Sequence, residues 1–278
     1  MVQIHHKMFG SVPLFLLISI CCLSSFAEAL TAGLGHGVNL QPSYYNGGNV
    51  SLGFALMKSA APKVQTVRIE VEPTVPISLA VSWISEAVNN GYAVIVTYHK
   101  ATAGNFVVNL MNEWGDHSIS AKDYATAYND ALKVVRKVYS GTVIIDAPGW
   151  GQEPQTVKNA ILGVGGVKIS DTNIIPSLHI YPDAYNHGKG QWLNTSDIDD
   201  LASAGRSLII GEFGSLPAGS VDWAGIVSYA KSKGYTILGW AWNGDGYGMN
   251  MAQPSWSNQP GATSFTKSAY FNTIYNLL

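Results

Sequence analysis

Glu113 closes the run VVNLMNE and Glu212 lies in LIIGEFG, each at the end of an apolar, β-branched segment, with a third such run, SLHIY, between them. Two carboxyl groups held opposite one another suit the splitting of a glycosidic bond. One, as the acid, protonates the departing sugar oxygen, and the other attacks the sugar or activates water. Ends of parallel barrel strands supply the rigid frame that this chemistry needs.

Other residues could serve the same centre. Asn112 precedes Glu113, and an amide there can hold a sugar hydroxyl whose hydrogen bond strengthens in the transition state. Arg68, inside TVRIEV, offers a positive charge to keep Glu212 ionised, the alternative being an ordinary surface cation. His179 and Tyr181 stand two apart, so on a strand both face one way. His99 ends AVIVTYH and could orient a carboxylate or bind a hydroxyl, although a satisfied core histidine explains it equally. Trp240 and Trp242, in GWAWNG, are also expected to share a face, one of them forming the floor under the sugar, and core packing is their competing explanation. Trp114, Trp150 and Trp256 are weaker candidates for neighbouring subsites. No metal site is expected. His, Asp and Glu do not fall at ligand spacings such as H-E-x-x-H, and Asp116-His117 reads as a solvated loop.

These residues need a frame. GVNL, TVRIEV, AVIVTYH, NFVVNLM, TVIIDAP, IIPSLHIY, SLIIGEF and TILGWAW make eight nearly continuous apolar runs, which indicates strands covered on both faces. Helical patterns between them, over 78–89, 120–139, 220–233 and 264–277, indicate parallel βα units and an α/β fold, a single-domain (β/α)8 TIM barrel. The segment 247–263, rich in Gly, Pro, Ser and Asn, is expected to be a loop over one rim. One connection breaks the pattern. Only residues 100–104 separate the third run from the fourth, where a parallel crossover takes about 10–12 residues or more. Either the helix between strands 3 and 4 is missing or strand 3 is displaced, and a missing helix would uncover apolar barrel surface.

Composition narrows the partners. The 278 residues carry Lys+Arg 16 against Asp+Glu 18, with no basic run to track phosphates, so nucleic acid is an unsuitable partner. Aromatic content of 11%, with eight tryptophans, suits stacking on the apolar faces of neutral sugars. His5, His6 and Lys7, an apolar stretch over 12–23 and Ala27-Glu28-Ala29 form a secretion-signal pattern. The expected division is a signal peptide over 1–29 and one catalytic domain over 30–278, secreted, monomeric and free of membrane after the signal is removed. Cys21 and Cys22 both fall inside the signal. Asn49 and Asn194 begin N-x-S sequons.

Taken in order, V-R-I with Arg68, T-Y-H with His99, M-N-E with Asn112 and Glu113, L-H-I-Y with His179 and Tyr181, I-G-E-F-G with Glu212 and G-W-A-W resemble glycoside hydrolase family 5, of the retaining (β/α)8 clan. IIDAPGWGQ and LIIGEFG look most like the family's secreted endo-β-1,4-mannanases of bacterial type. The resemblance implies Glu113 as acid/base, Glu212 as nucleophile, no cofactor, and β-mannan or β-glucan as the polysaccharide substrate. An endo-β-1,4-glucanase (cellulase) is the alternative within the family. A catalytically impaired carbohydrate-binding form is the alternative outside enzymes. Trp114 departs from the family's frequent proline after the Asn-Glu pair, and the short connection after His99 departs from its usual length.

Overall fold

A computed structural model of the chain describes residues 33–98 and 106–278. Eight strands form the frame: β1 (Gly37–Leu40), β2 (Thr66–Val71), β3 (Ala93–Tyr98), β4 (Val107–Asn109), β5 (Val143–Asp146), β6 (Ile174–Ile180), β7 (Ile209–Phe213) and β8 (Thr236–Asn243). Each pairs in parallel with its sequence neighbours, and β1 pairs with β8, closing the barrel. These are the eight runs read from the sequence. Strand 3 is not displaced: Ile95, Val96 and Thr97 stand opposite Val107, Val108 and Asn109. Residues 99–105, with His99 among them, lie outside the described residues, and among the described residues no helix separates β3 from β4. The outward-facing Val94, Val96 and Phe106 are nonetheless buried. Val108 is half-covered.

The helices are α1 (Phe54–Ala60), α2 (Ile77–Asn89), α3 (Ala121–Val135), α4 (Pro154–Leu162), α5 (Thr195–Ala202), α6 (Trp223–Ser232) and α7 (Phe271–Tyr275). Their ends follow local chemistry. Ser120 caps α3 by accepting the Asp123 N–H at 3.1 Å. Pro154 opens α4 and Gly163, at φ 81°, ends it. Asn194 and Asp197 make a reciprocal capping box on α5. The expected helix over 264–277 shrinks to α7. Thr266 and Lys267 are drawn into a ladder with Ala252 and Gln253, inside the segment read as a loop, and the Ser268 N–H bonds Met251 O.

The barrel interior is layered. Ile95, Val107, Ile144, Ile209 and Leu238 meet as one apolar layer. Period-two alternation then sets the next inward layer two residues on, at Thr97, Asn109, Asp146 and Trp240. Arg68, Asn39 and His179 join this layer through their hydrogen bonds and ion pairs. The interior therefore changes from apolar to polar within one step along β3, β4 and β5.

Candidate active site

Two strand irregularities aim the key side chains. Strict alternation from Ile209 would turn Gly211 and Phe213 inward and Glu212 outward. Leu178 pairs with Ile210 but His179 pairs with Glu212, so one extra residue of β7 is accommodated there and Glu212 turns inward. Gly211 permits the bulge, since a Cβ on it would stand 2.2 Å from Ser177 Oγ. A second shift lies in β8, where Val38 faces Gly239 but Leu40 faces Asn243. It separates the two tryptophans expected to share a face. Trp240 lines the cleft and donates to Asp245 Oδ1 at 3.0 Å, whereas Trp242 is wholly buried in the main core and donates to Leu52 O.

Glu113 does not sit on a strand end. β4 stops at Asn109, the Leu110 N–H makes one more bond to Ile144 O, and the chain then turns, with Glu113 at φ 50°. Its N–H leaves the ladder and donates to Asp146 Oδ2 at 3.2 Å. This left-handed residue is rare outside glycine and is held by surrounding contacts. The Glu113 Oε1 and the His179 Nδ1 are 2.7 Å apart.

Arg68 is the hub. Its guanidinium donates to Glu212 Oε1 at 2.8 Å, Asn39 Oδ1 at 2.8 Å, Asn109 Oδ1 at 2.9 Å and Asn112 Oδ1 at 2.6 Å, with Asp146 and Glu70 at 3.4 Å. Tyr181 donates to Glu212 Oε2 at 2.9 Å. His179 lies 3.5 Å from Glu212 Oε1 on one ring nitrogen and 3.5 Å from Asp146 Oδ2 on the other, ion-pair contacts rather than good hydrogen bonds. Glu113, His179 and Glu212 each offer an atom within 4.8 Å of the others. The carboxyl oxygens of the two glutamates thus approach within 4.8 Å.

The charges are linked. Burial would lower the His179 pKa, but Glu212, Asp146 and Glu113 outweigh it and hold the ring protonated, well above its ordinary value. Burial likewise opposes the charge on Asp146, yet His179 and Arg68 bring its pKa down to about 2. Burial pushes Glu212 up, with His179 and Arg68 pulling against that push. Glu70, beside Arg68 and bonded to Gln41 at 2.7 Å, is pushed up to about 8 by burial and by Glu212. Burial, with Glu212 and Glu113 beside it, keeps the Tyr181 hydroxyl neutral, well above its usual range. With Glu70 protonated, Arg68 and His179 bring two positive charges against Asp146, Glu113 and Glu212.

A cleft of about 360 Å³ opens over this centre, lined by Glu70, Asn112, Glu113, Tyr181, Glu212 and Trp240 together with Gln41, Tyr44 and Trp150. Trp150 is 63% exposed on its wall. Trp114 packs on Tyr124 and Tyr128, and Trp256 is wholly buried with its indole N–H on Ser51 O. The sequence reading passed over Asn39, Glu70, Asn109 and Asp146. The available signal was a polar residue inside each of the apolar runs GVNL, TVRIEV, VVNL and VIID.

Residues 95–246, more than half of the chain, match the sequence profile of the cellulase family, glycosyl hydrolase family 5. A mannan endo-1,4-beta-mannosidase of Salipaludibacillus agaradhaerens is 32% identical over 145 residues, 50% of this chain and 44% of that protein. A beta-mannanase/endoglucanase A of Caldicellulosiruptor saccharolyticus is 27% identical over 146 residues, 50% of this chain and 10% of that protein. The chain spans less than half the length of the curated relatives it matches. The mannanase catalytic domain of Streptomyces sp. SirexAA-E shares the fold, with a TM-score of 0.67 at 20% identity over 88% of this chain and 85% of that one. A closed parallel barrel, two glutamates facing each other at its mouth and a matching profile across both of them lead to one conclusion: the chain belongs to glycosyl hydrolase family 5.

Proposed function

We propose that this chain is a retaining glycoside hydrolase that cleaves internal β-1,4 bonds of mannan. The observation that carries the reading is the approach of Glu113 and Glu212 to within 4.8 Å across a cleft walled by Trp240. Oxygens that approach this closely fit carboxyl groups about 5–5.5 Å apart, placed for direct attack on the sugar, better than groups about 6.5–9.5 Å apart with a water between them, as inversion requires. Glu212, fixed by Arg68 and Tyr181, attacks the anomeric carbon. Glu113 protonates the leaving oxygen, then takes a proton from the water that frees the sugar. His179 positions Glu113 and, charged, stabilises the carboxylate that Glu113 becomes midway. Asn112, turned by Arg68, faces the sugar hydroxyls. Residues 1–29 act as a secretion signal ahead of the catalytic domain.

Mannan is favoured by the activity for which the relatives are named, and β-1,4-glucan is the second reading because one relative carries both names. Reducing-sugar release from mannan and from a soluble cellulose derivative separates the two. Glu113→Gln is expected to lower cleavage by about 10²–10⁴-fold, the usual contribution of a positioned acid, and Glu212→Gln by at least as much. Folded protein that releases no sugar from either polymer, or variants that keep full activity, would sink the reading.

A further inference from the structure

Outside the cleft's centre, three consecutive loops on the same rim bring together His117, after β4, Glu153, after β5, and His187, after β6. Glu153 is 1% exposed and His117 is mostly covered, not the solvated loop residue expected from the sequence. The Glu153 Oε1 lies 2.8 Å from His117 Nδ1 and 2.9 Å from His187 Nδ1, and it also accepts the His187 N–H at 3.0 Å. Its Oε2 accepts the Gly188 N–H at 3.2 Å. The imidazole rings stand 3.9 Å apart between centroids. One carboxylate oxygen and two imidazole nitrogens, all within 4.8 Å of one another, thus converge on one point.

We propose that His117, Glu153 and His187 bind one divalent transition-metal ion of the Zn2+ class. Imidazole and carboxylate ligands suit that class better than the hard ions Mg2+ and Ca2+, which take mostly oxygen. Ligands of a tetrahedral zinc ion, at about 2.0–2.2 Å from the metal, stand roughly 3.3 Å apart, so the two contacts to Glu153 need open by only a few tenths of an ångström. On binding, the ion takes the proton's place at Nδ1 of each ring, and each neutral imidazole carries its one proton on Nε2. The backbone bonds to Glu153 remain and hold the carboxylate in orientation. No spacing rule reveals this set, because each ligand comes from a different loop.

The ion would clamp three loops beside the cleft. Gly149, at φ 60°, presses so closely on His117 that a Cβ would stand 2.4 Å from its Nδ1, and Trp150 meets the same ring edge-on at 5.0 Å. Fixing His117 therefore fixes the turn that carries Trp150.

The test is metal uptake by the full chain, with a melting curve as second readout. After dialysis against Zn2+, the protein should retain one equivalent. At Zn2+ a hundredfold above its Kd, the Tm should rise by roughly 5–10 °C over that in chelator, with no rise in Mg2+ or Ca2+. His187→Ala, at a half-exposed position, and Glu153→Gln should abolish both effects while melting in chelator as folded proteins. Absence of stoichiometric uptake by the parent chain would overturn the proposal. Uptake undiminished in both variants would also overturn it, placing the ion at Glu113, His179 and Glu212 or at the N-terminal histidines.

Discussion

Glu70 is the residue whose charge the site can least accommodate. It shares Arg68 with Glu212 and Asp146, and burial with Glu212 close by raises its pKa to about 8. The native state therefore holds a proton that the unfolded chain has released above the ordinary carboxylate range near 4.5. Between those values the native state binds more protons, so this group makes stability fall as pH rises from about 4.5 to 8. Glu70→Gln keeps the shape and removes the titration. The Tm of the variant should decline less than that of the parent between pH 5 and 8, and should exceed it at pH 8. Parallel Tm curves for the two proteins would show that Glu70 is ionised already. Asp146 works in the opposite sense. Its pKa of about 2 adds stability that is complete above the ordinary aspartate range and is lost as pH falls toward 2. The sequence showed the glutamate pair and its arginine because they stand in runs that are otherwise apolar. It did not show that Glu70 and Asp146 share that arginine, since such sharing depends on which strands lie opposite across a closed barrel.

At the scale of elements, the catalytic geometry rests on places where the regular pattern breaks. Eight strands were legible because strands covered on both faces must be apolar along their length. The bulges that turn Glu212 inward and Trp242 outward were not, because alternation carries no mark of where a residue is skipped. The turn after β5 shows the dependence directly. Gly151 has φ 76°, and a Cβ on it would meet His179 Cγ at 2.5 Å, against the ring that holds Glu113. Gly166, at φ 94°, has nothing within 4 Å of such a Cβ. Alanine at either position carries backbone strain of about 1–3 kcal/mol. Only Gly151→Ala should also displace His179 and with it Glu113, lowering kcat by on the order of 10²-fold, as a misplacement of about 1 Å does. Steady-state kinetics of the two variants, each with its melting curve, checks this. Equal activities at equal stability would show that the turn does not position the acid.

For the whole molecule, the short connection after β3 sets the question of integrity. Its length predicts a missing helix, and a missing helix predicts bare apolar surface and a weakened barrel. In the structure, β3 and β4 are hydrogen-bonded neighbours, β1 and β8 close the ring, and no barrel strand among the described residues is left with a free edge. Val94, Val96 and Phe106 are covered, and α2 packs beside β3. The main core runs from α1 through the sheet to α7, and the two small clusters inside the barrel and at its mouth draw mostly on the same strands, so no segment of the described chain is set to melt separately. Unfolding should therefore be a single cooperative transition. Loss of near-ultraviolet circular dichroism, the tryptophan fluorescence shift and the calorimetric peak should coincide, with calorimetric and van't Hoff enthalpies equal. An early transition that strips tertiary signal while far-ultraviolet signal persists would show that the barrel is open at β3 and β4. In that event sugar binding without cleavage becomes the expected activity, since Thr97 and Asn109 on those two strands support the guanidinium that fixes Glu212.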